Sequence, residues 1–176
     1  MMRIREGDVR ALQVLMDAHW VDIVRYASVL LGSEDDGEDV AQEVFVRVWQ
    51  KRASWVESGS GAAYLYRIAR NLVLGRLRKN RIRARSMSHV LPLRRAPWTP
   101  FDFVARHQLS EAFEGALQDL PLRRREAFEL VRVQGLSLSE AAEIMEVTRR
   151  TVANHLYLAV LDLESSLRPF LPEASS

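Results

Sequence analysis

The chain has 176 residues, 48% of them apolar, enough for a packed core and room for one domain or two small ones. It carries a net charge of +2 and no cysteine, which excludes disulfides, thiolate metal sites and a cysteine nucleophile and fits a reducing compartment. No apolar run suits a signal peptide, and none approaches the ~18 residues a membrane helix needs, so a soluble cytoplasmic protein is expected.

Apolar residues recur at helical spacing nearly everywhere and no convincing strand is present. The expected fold class is all-α: two small helical domains joined by a linker, the second containing a helix-turn-helix. Asp8 is placed to cap a first helix carrying Val9, Leu12, Leu15, Met16, Trp20, Ile23 and Val24, which ends near Gly32. A second helix is expected over about 36–52, with Val40, Val44, Phe45, Val48 and Trp49 on one stripe. After the loop SWVESGSG, Ser60 or Gly61 opens a third helix whose stripe is Leu65, Ile68, Ala69, Leu72 and Leu77. Residues 86–101 hold Pro92, Pro97 and Pro100 and no clear period, and read as a linker between domains 1–85 and 102–176. The second unit starts near Asp102 with one helix. Another begins at Pro121 and is closed by Gly135.

Residues 135–165 form the sharpest local pattern. Ser137 with Glu140 makes a capping box, Glu146 and Val147 form a turn, and Thr148 caps a helix with Val152, Leu156, Ala159, Val160 and Leu163 inward. Two helices joined by a tight turn, the second polar on its outer face near its start, describe a helix-turn-helix.

Charge is strongly segregated. Residues 34–43 hold six carboxylates (Glu34, Asp35, Asp36, Glu38, Asp39, Glu43), with no Lys or Arg between Arg25 and Arg47. From Ser58 to Phe101 stand ten basic residues and no acidic one. The basic block suggests a phosphate backbone as partner, and the acidic block a basic protein surface.

Four motifs in order, DDGEDVAQEVFVRVW (35–49), YLYRIARNLVLGRLRK (64–79), LQDLPLRRREAFELVRVQGLS (117–137) and the helix-turn-helix, resemble the two-domain sigma factors of bacterial RNA polymerase, the extracytoplasmic-function (ECF) group. The resemblance covers about residues 8–170. It implies a sigma factor with three partners: core RNA polymerase, promoter DNA and an anti-sigma factor that could hold the chain at the inner membrane. It implies polymerase docking by Asp35, Asp39, Gln42 and Glu43. It assigns Trp55, Tyr64, Arg67, Arg70, Asn71, Arg76 and Lys79 to the minus-ten element. Thr148, Arg149, Arg150, Thr151, Asn154 and His155 fall to the minus-35 element. The residue types suit those tasks: aromatics stack unpaired bases, Arg binds guanine bidentately and Asn pairs with adenine. Three positions depart from the family's pattern. Glu146 stands where the turn usually has Gly, and Ala153 and Leu158 stand where many relatives have Arg or Lys.

Plainer readings stand beside these. An acidic helix start is often only solvated surface favoured by the helix dipole, although Gln42 and the flanking motifs favour docking. Trp55, Tyr64 and Tyr66 read equally as core. Leu158, Leu161 and Leu163 either pack on the helices of 102–134 or contact another protein. His19, His89, His107 and His155 have no metal-ligand spacing, and no phosphate loop or nucleophile–base pair is present. No cofactor, no metal, no small-molecule substrate and no catalysis are expected. The alternative is a dimeric helix-turn-helix regulator that acts without polymerase. A protein that only sequesters polymerase or a sigma factor is a third reading. Neither explains an acidic helix, a basic helix and TRRTVANH on one chain.

Overall fold

A computed structural model describes residues 2–54, 60–86 and 104–170. Every regular element among them is helical. The linker expected over 86–101 and the aromatic Trp55 lie outside the described residues, except that Ser86 ends a helix.

A one-turn helix α1 (Met2–Arg5) leads into α2 (Val9–Leu31). Asp8 caps α2, its carboxylate accepting from the backbone of Arg10 at 2.9 Å and Ala11 at 3.2 Å. Gly32 closes the helix in the left-handed region at φ 75°. The next residue starts another helix at once: the Ser33 hydroxyl accepts from Asp36 N at 3.2 Å and caps α3 (Glu34–Gln50). That start is two residues earlier than the expected one at about residue 36, because Glu34, Asp35 and Asp36 occupy the first turn, where the helix dipole favours carboxylates.

The tight corner folds α3 back along α2. Gly37 makes the approach possible. A Cβ there would lie 1.9 Å from Ser28 Oγ and 2.8 Å from the Val24 carbonyl. α4 (Gly61–Ser86) covers the pair, with the Ser60 hydroxyl accepting from Ala63 N at 3.1 Å at its start. Ile23, Tyr26, Ala27 and Leu30 of α2 bury against Val40, Val44, Phe45 and Val48 of α3 and Leu65, Ala69 and Val73 of α4. Trp20 stacks on Phe45 with ring centroids 6.0 Å apart.

The second group comprises α5 (Val104–Asp119), α6 (Leu122–Phe128), α7 (Leu138–Met145) and α8 (Arg149–Leu167). Pro121 precedes α6 as its cap, and α6 runs on as a π-helical turn over Glu129–Val133 before Gly135 reverses the chain at φ 68°. Ala116, Leu117 and Leu120 pack on Ala159 and Leu163 of α8 in a small core of their own. The remaining apolar residues of this group, Ala127, Leu130, Ala141, Ile144, Met145 and Val152, belong to the same continuous core as α2–α4. The second domain is therefore packed on the first.

Candidate nucleic-acid interface

The helix-turn-helix is built as its residues dictate. Ser137 Oγ accepts from Glu140 N at 3.2 Å, and Glu140 Oε2 accepts from Ser137 N at 3.0 Å. These bonds, with the Ser60 hydroxyl, hold the Glu140 carboxyl below its ordinary range. Glu146 forms the turn in the left-handed region at φ 56°, the one non-glycine residue with positive φ among those described. Thr148 Oγ1 then accepts from Thr151 N at 3.2 Å and starts α8. Val152, Ala159 and Leu163 point inward and are buried. Thr148, Arg149, Arg150 and Asn154 are exposed on the opposite side. Thr151 and His155 are half-buried, and His155 Nδ1 is shielded from solvent without a hydrogen-bond partner. The outer face thus presents two guanidinium groups, an amide and a hydroxyl, a donor-rich set suited to base edges and phosphates.

On α3, Asp35, Asp39 and Gln42 are exposed along one side and Glu43 is half-exposed, bonded to Arg47 at 2.8 Å one turn on. This acidic strip is left uncovered by the second domain. Phe45 belongs to the core and Trp49 to its edge, where Arg52 lies over the indole ring at 4.3 Å.

The residues of α4 do not form one open surface. Asn71 and Lys79 are exposed, and Tyr64 is half-buried at the edge of the core. Arg76 reaches across to α3, 3.0 Å from Asp36 and 3.4 Å from Asp39. Arg67 approaches Glu143 at 4.0 Å. Arg70 is only 3% exposed; its Nε donates to Glu126 at 2.7 Å, and Nη1 lies 3.4 Å from Glu146. Tyr66 is core, edge-on to Tyr26 with centroids 5.3 Å apart, and its hydroxyl donates to Gln134 at 2.7 Å.

Glu126 and Glu129 were not singled out by the sequence, yet they define this side of the molecule. Glu126 and Glu129 are both buried. Glu126 also accepts from the Tyr26 hydroxyl at 3.3 Å, and burial with that neighbouring charge pushes the phenol up. Glu129 accepts from Arg25 at 3.1 Å and Gln134 at 3.0 Å; burial raises its carboxyl, against the pull of those two donors. The signal was available. Two glutamates stand in an otherwise apolar run, EAFELV, which a solvent-facing helix does not require. Among the described residues no cluster of metal-ligating side chains occurs, and no helix is long and apolar enough to cross a membrane.

Residues 15–83 match Sigma-70 region 2 and residues 110–163 match Sigma-70, region 4. The chain is 26% identical over 175 residues to the ECF RNA polymerase sigma factor SigW of Bacillus subtilis, covering 94% of each chain. It is 24% identical to the RNA polymerase sigma-H factor of Pseudomonas aeruginosa, over 98% of this chain and 94% of that one. In fold it is similar to the sigma factor RpoE of Bartonella quintana, solved with the anti-sigma factor NepR, at a TM-score of 0.72 and 23% identity over 93% of this chain and 98% of the other. It is similar also to CnrH, solved with the cytosolic domain of CnrY, at a TM-score of 0.70 and 24% identity over 95% and 94% of the two chains. Two matched regions in their proper order, together spanning most of the chain and joined to an all-helical fold of the same kind, place this protein in the sigma-70 family, among its ECF sigma factors.

Proposed function

We propose that this sigma factor docks on core RNA polymerase through the acidic side of α3, with Asp35, Asp39, Gln42 and Glu43 as contacts. The first domain, about 1–85, takes the minus-ten element with Tyr64, Arg67, Arg70, Asn71, Arg76, Lys79 and the loop residue Trp55. The second, about 102–176, takes the minus-35 element with the start of α8. The observation that carries the reading is the two-sided character of α8. Val152, Ala159 and Leu163 are fully packed, while Arg149, Arg150 and Asn154 stand free at the end of the helix that reaches base edges. The protein is not an enzyme; its contribution is binding energy that positions polymerase and offsets the few kcal/mol needed to unstack a base.

An anti-sigma factor is the third partner in this reading, supported by a protein of the same fold, the sigma factor RpoE, solved with the anti-sigma factor NepR. The setting is the bacterial cytoplasm, and attachment at the inner membrane would come from that partner. The deciding test is reconstitution with core polymerase, followed by selection of bound fragments from a promoter library. Recovery of a two-part motif only in the presence of polymerase is expected. A homodimer that selects duplex DNA without polymerase would establish the alternative regulator instead.

A further inference from the structure

Helix α8 has an edge as well as an open face. Thr151, His155, Leu158 and Asp162 follow one another along one flank of the helix, each of them half-buried. Asp162 accepts from Arg124 at 2.6 Å, so this flank lies against α6. The imidazole of His155 therefore has one edge toward the protein and one toward solvent. Its Nδ1 is shielded and, among the described residues, finds no hydrogen-bond partner. Its Nε2 is not shielded and takes part in no hydrogen bond of the protein, so it opens to solvent.

From this we propose that His155 is a specificity-determining residue. It is a fixed hydrogen-bond donor that admits a base with an acceptor on its major-groove edge and excludes cytosine. The inference deepens the reading of α8 given above and rests on it.

A neutral imidazole has a single N–H, and its other nitrogen can only accept. In folded proteins an N–H buried without an acceptor is rarer than an unfilled lone pair. The proton of His155 accordingly sits on Nε2, the edge that DNA would meet. The other polar groups at the start of α8 lack this combination of place and sign. Asn154, Thr148 and Thr151 can each donate or accept. Arg149 and Arg150 donate, but from long stems on the exposed face. His155 turns about two bonds only, and its half-buried ring holds the donor in place. In the major groove guanine offers N7 and O6, adenine N7 and thymine O4 as acceptors, whereas cytosine offers only its N4 amino group, a donor. Set against that amino group, Nε2–H would leave two donors facing each other, both stripped of water. The discrimination is thus against one base rather than for one.

The test uses holoenzyme reconstituted with the full chain, at about pH 8, where an ordinary imidazole is neutral. Bound promoter fragments are selected from a library randomised in the upstream element. Wild type should deplete cytosine roughly tenfold at one position. His155→Gln, whose amide can turn to donate or accept, should readmit cytosine there and leave the other positions unchanged. His155→Ala should make that position indifferent to the base. A uniform loss of affinity in His155→Gln, with the wild-type sequence logo retained, would mean that the ring only packs and would overturn the proposal. If wild type recovers no upstream motif at all, the reading of α8 falls and this inference falls with it. Should both variants fail to fold, the tautomer decides on the unaltered His155, in full-length protein carrying 15N-labelled histidine. The ring signals of His155 are assigned by elimination with variants at His19, His89 and His107. Their nitrogen–hydrogen couplings should report Nε2–H, and an Nδ1–H ring would overturn the proposal.

Discussion

The guanidinium of Arg76 lies 3.0 Å from the carboxylate of Asp36, tying the basic helix to the first turn of the acidic one. The same nitrogen is 3.4 Å from Asp39, so a residue assigned to DNA and one assigned to polymerase belong to one cross-helix ion pair. Both acids are substantially exposed, and such pairs contribute only about 0–1 kcal/mol. Arg76→Ala should therefore lower stability by no more than ~1 kcal/mol in urea unfolding. If Arg76 also reaches a phosphate, the substitution should reduce the salt slope of promoter binding by the holoenzyme by about one. An unchanged slope would assign Arg76 to structure alone.

Reversal of the docking face should separate binding from folding. Asp39 and Glu43 contact only half-exposed arginines. Asp39→Lys/Glu43→Lys should change stability by about 1 kcal/mol or less. Association with core polymerase should weaken at least roughly tenfold, since like charges across an interface are costly. Polymerase affinity equal to wild type in a pull-down titration would remove α3 from the interface.

Gly37→Ala should destabilise, although alanine ordinarily favours a helix interior by about 1 kcal/mol over glycine. The added Cβ would sit 2.8 Å from the Val24 carbonyl, which is backbone and cannot swing away as the Ser28 hydroxyl can. Steric cost of ~1–3 kcal/mol outweighs the propensity gain. Thermal melting checks the sign, and Ser28→Ala should restore only part of the loss because the carbonyl contact remains.

Glu129 gives the domain contact a pH dependence. Burial raises its carboxyl above the ordinary value, against Gln134 and Arg25. The stability it allows is complete below the unfolded value of about 4.3 and is lost as pH rises through the raised native value. The stability difference between Glu129→Gln and wild type should thus move in favour of the variant from acid toward neutral pH. Asp8 and Glu140, both lowered by hydrogen bonds to backbone N–H groups, act in the opposite sense in both proteins and cancel in the difference. Parallel pH profiles for the two proteins would contradict this.

Asn154 is exposed on the outer side of α8, clear of the packed residues. Asn154→Ala should relax preference at one or two upstream base pairs by roughly 1–3 kcal/mol. Arg149, in the first turn, should lose affinity more evenly across sequences if it holds a phosphate. Selection from a randomised upstream element distinguishes them. A sequence logo identical to wild type for Asn154→Ala would move base reading to Arg150 or Thr151.

Local chemistry was legible in the chain from the start. Asp8, Ser137, Thr148 and Gly32 announced helix ends, because capping depends on side chains within three residues of the backbone groups they satisfy. Apolar period gave the helices and the inward face of α8, and charge gave the exposed acidic strip of α3. The residues that surprised are those whose partners lie far along the chain. Arg70 and Glu126 are 56 positions apart, and Tyr26 and Glu126 are 100 apart. No periodicity reveals that an arginine in a basic block is buried rather than solvated, since its own helix would permit either. That depends on which face of the second domain closes on α4. Only the tertiary structure brings a carboxylate to it, because a charge can leave water only where another element supplies its counter-charge.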